Sequence, residues 1–171
     1  DHYDFADTDI CLMSAGASVS ETWSPVIAAQ GCLVIDNSSK WRMDRLVPLV
    51  VPEVNAHALE GKIKKGIIAN PNCSTIQMVV ALNPLHEVSP IKRILVSTYQ
   101  AVSGTGGAAM EELRQQTAQM MEGGEEGIIP HVYPHQIAFN ALPFVESFLE
   151  NDYTNEEWKM VQETRKIMHD P

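Results

Sequence analysis

Cys73 lies at a predicted boundary between a strand and a helix. It follows the apolar run 66–69 and the Asn-Pro-Asn of residues 70–72, and it precedes a segment of helical composition, 76–82. The first turn of a helix leaves N–H groups unpaired, and the positive end of the helix dipole favours an anion there. Such a position favours the thiolate, which is the nucleophilic form of cysteine. The sequence therefore predicts nucleophilic chemistry at Cys73, with a buried structural cysteine as the alternative.

Arg42 is a candidate anion-binding residue. It follows the polar turn 36–39, beyond the carboxyl end of a predicted strand. Its planar guanidinium can bond two oxygens of a phosphate or carboxylate at once. A salt bridge to Asp44 or to another carboxylate explains the residue equally well.

Three further features add weaker signals. Gln100 lies late in a predicted strand, where its amide suits a substrate carboxylate or carbonyl, although a structural amide is more common. Glu156 and Lys159 are three residues apart and so share a helix face, but a surface ion pair explains that spacing as well. The glycine-rich turn 104–107 would allow close approach of a cofactor, and alone it is weak evidence.

Composition limits the classes of partner. The 171 residues include 12 basic and 22 acidic side chains, a formal net charge of −10, and 44% are hydrophobic. This balance argues against nucleic acid or an anionic membrane as the main partner, and the apolar content supports a real core. The three cysteines and six histidines show no metal-ligand spacing and no disulfide framework, so no metal is expected. We expect a soluble, cytoplasmic protein, since no apolar run of about 20 residues and no signal peptide is present.

The pattern of elements predicts an α/β fold. Apolar runs at 8–13, 32–35 and 49–51 predict strands, and a helix is predicted over 20–30 between the first two. Buried strands alternating with a helix are typical of a parallel sheet, whose ligands bind beyond the carboxyl ends of the strands. Later in the chain, a long strand is predicted at 91–102 and helices are predicted at 108–121 and 154–169. The last helix begins with a capping box of Thr154 and Glu157.

Several segments together resemble one family. In chain order they occupy residues 14–16, 36–44, 48–55, 69–77, 97–104, 137–140, 153–160 and 163–166. With Asn-Pro-Asn-Cys-Ser-Thr at their centre, the chain resembles the bacterial-type aspartate-semialdehyde dehydrogenases, which are related in fold to glyceraldehyde-3-phosphate dehydrogenase.

The resemblance implies an architecture. Residues 1–70 would be the C-terminal part of a Rossmann-type, parallel-sheet NADP-binding domain, and residues 71–171 part of an α+β catalytic and dimerisation domain. The full-length protein would be a homodimer. The family's glycine-rich phosphate-binding turn and its acid–base histidine segment match nothing in the sequence. We therefore expect an internal fragment that lacks both ends and has no dehydrogenase turnover alone.

The resemblance also implies a reaction and a set of roles. The reaction is reversible, NADP-linked reductive dephosphorylation of L-4-aspartyl phosphate to L-aspartate 4-semialdehyde, in the biosynthesis of lysine (through diaminopimelate), threonine and methionine. It would proceed through a thioacyl intermediate on Cys73. The implied roles are substrate orientation by Gln100, phosphate binding by Arg42 and Lys159, substrate contact by Glu156 and Asn72, and cofactor binding by Ala15, Gly16, Ser103 and Gly104.

Three alternatives remain at this stage. N-acetyl-glutamyl-phosphate reductase runs the same chemistry, but its nucleophile is typically flanked by Gly before and Tyr-Pro after, unlike Asn72 and Ser74-Thr75. A phosphorylating dehydrogenase of the glyceraldehyde-3-phosphate type has its cysteine in a different, serine-rich context. A non-catalytic fragment or packing module would have no need of Cys73, Gln100, Arg42 and Lys159 together.

Overall fold

The computed structural model describes residues 3–124 and 127–169. It divides into two compact units. The first is built from residues up to Ile94 together with those from Asn155 onward, and the second spans Leu95–Thr154. The predicted domain division at residue 70 stays a prediction. No helix among the described residues combines the length and apolar character needed to cross a membrane.

A three-stranded parallel sheet lies in the first unit. Its strands are β1 (Ile10–Met13), β2 (Leu33–Asp36) and β3 (Ile67–Ala69), in the spatial order β1-β2-β3. Cys11 pairs with Val34, and Val34 pairs with Ile67. Helix α1 (Ala17–Ala29) connects β1 to β2, as crossover connections between parallel strands require. The α/β architecture predicted from the sequence is confirmed.

The predicted strand at 49–51 is reduced to a single bridge. Leu49 pairs with Ala69 only, through bonds from Ala69 N to Pro48 O and from Val50 N to Ala69 O. The proline at 52 begins the short helix α2 (Pro52–Asn55), and the N–H of Val51 donates to the side chain of Asn55. After Val50, the next backbone N–H on the side that faces β3 would belong to residue 52, which is proline and has none, so the segment cannot extend the ladder.

The core of the first unit joins the sheet to two longer helices. These are α3 (Cys73–Val88) and α5 (Asn155–Met168), both close to their predicted positions. Side chains from all layers are almost fully buried together: Val34, Leu49, Ile67, Val79 and Ile167. Because α5 packs on α3 over this core, polar residues on the inner face of α5 come close to the start of α3.

The second unit is organised around α4 (Gly107–Gly123), which was predicted over 108–121. A 3₁₀ turn, Val102–Thr105, precedes it. The predicted strand at 91–102 is wrong, because none of the described residues pairs with that segment. Its β-branched pattern favours an extended chain, but a strand exists only where a neighbouring backbone completes the ladder. Leu95 and Tyr99 are accordingly 80% and 98% exposed.

Candidate active site

Cys73 is the first residue of α3, as its sequence context predicts. Asn72 is the N-cap, and its Oδ1 accepts hydrogen bonds from the backbone N–H of Ser74 at 2.9 Å and of Thr75 at 3.4 Å. Cys73 is exposed, whereas Cys32 is buried and Cys11 is half-buried. Among the three thiols, Cys73 therefore combines exposure with a capped helix N-terminus.

The turns at the carboxyl edge of the sheet are bonded to one another. Asn37, which follows β2, donates from Nδ2 to Ser14 Oγ after β1 at 3.4 Å. Asn70, which follows β3, donates from Nδ2 to Asn37 Oδ1 at 2.8 Å, and its backbone N–H donates to Asp36 O. These bonds place the Asn-Pro-Asn turn, and so the start of α3, beside the ends of the neighbouring strands.

Glu156, in the first turn of α5, contacts the residue that caps α3. Asn72 Nδ2 donates to both of its carboxylate oxygens, at 3.0 and 2.9 Å. Lys159 Nζ lies 3.6 Å from Glu156 Oε2, so the two residues form an ion pair, but the Glu156 carboxylate is buried and the pair is not an ordinary surface one. The carboxylate is buried against α3, which makes it part of the Cys73 environment.

Arg42 is paired with a carboxylate, and that carboxylate is Glu163. Arg42 Nη1 lies 3.1 Å from Glu163 Oε1, and Nη2 donates to Asn37 O at 3.1 Å. Asp44, the nearer candidate in the sequence, instead pairs with Lys65, whose hydrogen bond lowers the pKa of Asp44. Arg42 is only 8% exposed, and its Nε has no hydrogen-bond partner among the described residues. A buried guanidinium with an unused donor fits an anion-binding role.

Lys166 binds the backbone of the segment that carries Arg42. Its Nζ donates to three backbone carbonyls, those of Arg42, Asp44 and Val47, at 2.6, 2.8 and 2.9 Å. Burial lowers the pKa of Lys166, while the carboxylates of Asp44 and Glu163 act in the opposite direction. The ammonium therefore holds the turn after β2 against α5.

The sequence reasoning missed Glu163 and Lys166, which contact Arg42 and the segment that carries it. With Glu156 and Lys159 they form a row of alternating charge spaced three, four and three residues apart on α5. That spacing places all four on one face of a helix, which also carries the buried Met160 and Ile167. Charged residues that share a face with core residues are a signal for buried ion pairs, and this signal was available in the sequence.

The candidate cofactor residues lie in both units. Ala15 and Gly16 form the exposed turn between β1 and α1, and none of the described side chains caps α1. Gly16 has φ +92°, a conformation that favours glycine, and open space surrounds its Cβ direction. Free helix N–H groups at the carboxyl edge of a parallel sheet fit the phosphate groups of a dinucleotide. Ser103 and Gly104 lie in the 3₁₀ turn of the second unit and are exposed.

Gln100 also lies in the second unit. Its Nε2 donates to Thr98 Oγ1 at 3.4 Å, and the residue is exposed. The structure thus brings together Arg42, Asn72, Cys73, Glu156 and Lys159 within the first unit. The roles assigned to all of these residues stay predictions.

Family models match both parts of the chain. Residues 82–171 match the model of the semialdehyde dehydrogenase dimerisation domain, and residues 1–62 match that of the semialdehyde dehydrogenase NAD-binding domain. The chain belongs to the semialdehyde dehydrogenase family. The resemblance inferred from the motifs and the predicted fold class are both confirmed.

Individual members of the semialdehyde dehydrogenase family agree with this assignment. An aspartate-semialdehyde dehydrogenase of Aquifex aeolicus is 60% identical over 97% of the chain and 48% of its own length. That of Bacillus subtilis is 49% identical over 98% of the chain and 49% of its length. The crystal structure of aspartate semialdehyde dehydrogenase II from Vibrio cholerae superposes with a TM-score of 0.95 at 48% identity, over 99% of the chain and 50% of that structure. A second structure of that enzyme, complexed with ASA, gives a TM-score of 0.94.

The chain spans about half the length of the curated relatives it matches. The matched half contains the capped cysteine and the ion pairs around it. The parallel sheet agrees with membership of the semialdehyde dehydrogenase family, and the site geometry supports a specific proposal on function.

Proposed function

We propose that this chain carries the nucleophile and the phosphate-binding residues of an aspartate-semialdehyde dehydrogenase. The reaction is the reversible, NADP-linked reductive dephosphorylation of L-4-aspartyl phosphate to L-aspartate 4-semialdehyde. One observation carries the proposal: Cys73 opens a capped helix in the same compact unit as Arg42 and Lys159. The names of the relatives, and the complex of the Vibrio cholerae enzyme with ASA, support the substrate class.

Cys73 is the proposed nucleophile. Its thiolate attacks the acyl carbon of the substrate, the bond from that carbon to the phosphate oxygen breaks, and phosphate leaves, so that a thioester forms on Sγ. A thioester requires a polarisable nucleophile, which the exposed sulfur of Cys73 provides. When bound, the nicotinamide cofactor supplies the hydride that reduces the acyl carbon.

Arg42 and Lys159 are the proposed phosphate cations. Each is already paired with a carboxylate, Arg42 with Glu163 and Lys159 with Glu156, so these four side chains carry no net formal charge. Ion pairing orients the cations before an anion arrives, which reduces the cost of ordering them on binding. The unused Nε–H of Arg42 provides a donor for a phosphate oxygen.

The remaining assignments follow from the family pattern. Glu156 contacts the ammonium end of the substrate, while Asn72 contacts the substrate beside Cys73, and Gln100 orients the substrate. Ala15 and Gly16, together with Ser103 and Gly104, hold NADP, and the match to a dimerisation domain supports a homodimer. A cytoplasmic location and a place in the biosynthesis of lysine, threonine and methionine complete the proposal.

Thiol labelling tests the nucleophile. Iodoacetamide at neutral pH, with peptide mapping, should alkylate Cys73 faster than Cys11 and Cys32. Exposure alone would give the same order, so the matched reference is Ala118→Cys, an exposed cysteine in the middle of α4. We expect Cys73 to react about 10-fold faster than that reference, because only Cys73 lies at a helix N-terminus. Equal rates at both positions would contradict an activated thiol.

A further inference from the structure

Glu163 joins the proposed phosphate arginine to the backbone that carries the nucleophile. Its Oε1 lies 3.1 Å from Arg42 Nη1, and its Oε2 accepts a hydrogen bond of 2.6 Å from the backbone N–H of Asn72. Both carboxylate oxygens are therefore used, one on each side. Glu163 itself is only 1% exposed.

These contacts lie between three separate parts of the chain. Arg42 belongs to the turn after β2, Asn72 is the N-cap of α3, and Glu163 is in the middle of α5. Arg42 and Glu163 are 121 residues apart in the sequence, and Asn72 and Glu163 are 91 apart. Other bonds also hold these segments together, but Glu163 is the side chain that contacts both the Arg42 guanidinium and the backbone N–H of Asn72.

We propose that Glu163 is a positioning residue for the phosphate site, setting the guanidinium of Arg42 at a defined distance from Cys73. This inference rests on the proposed function, because it concerns the same anion site. The carboxylate acts through its two neighbours and need not touch the substrate. Its effect is to align the group that holds the leaving phosphate with the thiol that displaces it.

The chemistry of the contact defines the variants. Glutamine is nearly isosteric with glutamate but offers one acceptor oxygen, so in Glu163→Gln the amide NH₂ faces either the Arg42 guanidinium or the Asn72 N–H. One of the two bonds is then replaced by a donor facing a donor. Glu163→Asp keeps the charge and both acceptors but shortens the side chain by one methylene, so it cannot reach both partners in the same geometry.

Protection of Cys73 by inorganic phosphate measures the site directly. The full chain is alkylated with iodoacetamide across a phosphate titration, and the concentration that halves the labelling rate of Cys73 is recorded. Wild type, Glu163→Gln, Arg42→Lys and the double variant are compared, with helical circular dichroism as the check of folding. Glu157→Gln, an exposed position in the first turn of the same helix, is the matched control.

We expect Glu163→Gln to raise the half-protecting phosphate concentration about 10-fold, and Glu157→Gln to leave it within about twofold. Because Glu163 acts through Arg42, the double variant should have the same half-protecting phosphate concentration as Arg42→Lys alone. A purely structural role would give independent, multiplying effects in the double variant.

The outcomes separate the two proposals. If phosphate fails to protect wild-type Cys73, the phosphate site of the proposed function is wrong and the inference falls with it. If wild type is protected but Glu163→Gln is protected equally, or if the effects multiply, only the positioning role is overturned. Should Glu163→Gln not fold, Glu163→Asp replaces it, with an expected increase of at least about threefold. Failure of both variants to fold would assign Glu163 to the core and overturn the inference.

Discussion

The side-chain amide of Asn72 lies between the N-terminus of α3 and the carboxylate of Glu156. Its Oδ1 accepts from the backbone N–H groups of Ser74 and Thr75, and its Nδ2 donates to both oxygens of Glu156. Only one orientation of the amide satisfies both sides. Asn72 thus connects the first turn of the nucleophile helix to α5.

Asn72→Asp should destabilise the protein although aspartate is as good an N-cap as asparagine. The substitution replaces the donor that faces Glu156 with a carboxylate oxygen, so two buried like charges meet. We expect a loss of about 2 kcal/mol in the free energy of unfolding, measured by urea denaturation. Asn72→Ser retains the cap without the repulsion and should lose less. An Asn72→Asp protein as stable as wild type would contradict the orientation of the amide.

Glu112 should make part of the second unit sensitive to acid. Burial alone would raise the pKa of Glu112, but backbone N–H groups of Val132, His131 and Tyr133 donate to its carboxylate and together hold that pKa below its usual value. Since the folded-state pKa is lowered, the stabilisation is present above the unfolded value, about 4.3, and is lost as the pH falls through the folded-state pKa.

Hydrogen exchange of the segment after residue 127 measures this effect. Glu112→Gln should speed exchange of the amides of His131 and Val132 at neutral pH, because only one acceptor remains for three donors. The difference from wild type should shrink as the pH is lowered below about 4. Glu122→Gln, at an exposed position of the same helix, is the control. A difference that stays constant as the pH is lowered well below that value would refute the role of the ionised carboxylate.

Lys166→Met should reduce the free energy of unfolding by about 2 kcal/mol, because three backbone carbonyls lose their charged donor. Methionine retains the length and apolar stem of lysine, so the loss reports the ammonium rather than packing. Lys62→Met, at an exposed position, should stay within about 0.5 kcal/mol of wild type. Similar losses for the two variants in chemical denaturation would exclude the role of the Lys166 ammonium in holding the turn after β2 against α5.

Gly66→Ala should cost more than Gly61→Ala. Both glycines have positive φ, +63° and +86°, so each substitution strains the backbone. At Gly66, however, an added Cβ would lie 3.0 Å from the Cβ of Ala28 in α1, whereas at Gly61 it meets open space. We expect losses of about 2 and about 1 kcal/mol, respectively, in thermal unfolding. Ala28→Gly should recover part of the larger loss, and the absence of any recovery would argue against the close contact.

Elements that depend on near neighbours in the sequence were predicted well. The helix beginning at Cys73 follows from the Asn cap and the breaking Asn-Pro-Asn, and α4 is bounded by glycines. The segment 91–102 shows the limit of this reasoning. Its composition favours an extended chain, but strand pairing depends on a second segment that the local pattern does not specify.

The capped cysteine follows from residues next to it in the chain, and the alternation of apolar runs with a helix is enough to predict a parallel sheet. The pairing of Arg42 with Glu163, rather than with Asp44 two residues away, is seen only in the folded chain. A buried guanidinium pairs with the carboxylate that the packing of helix on sheet brings next to it. That packing brings residues 121 positions apart into contact.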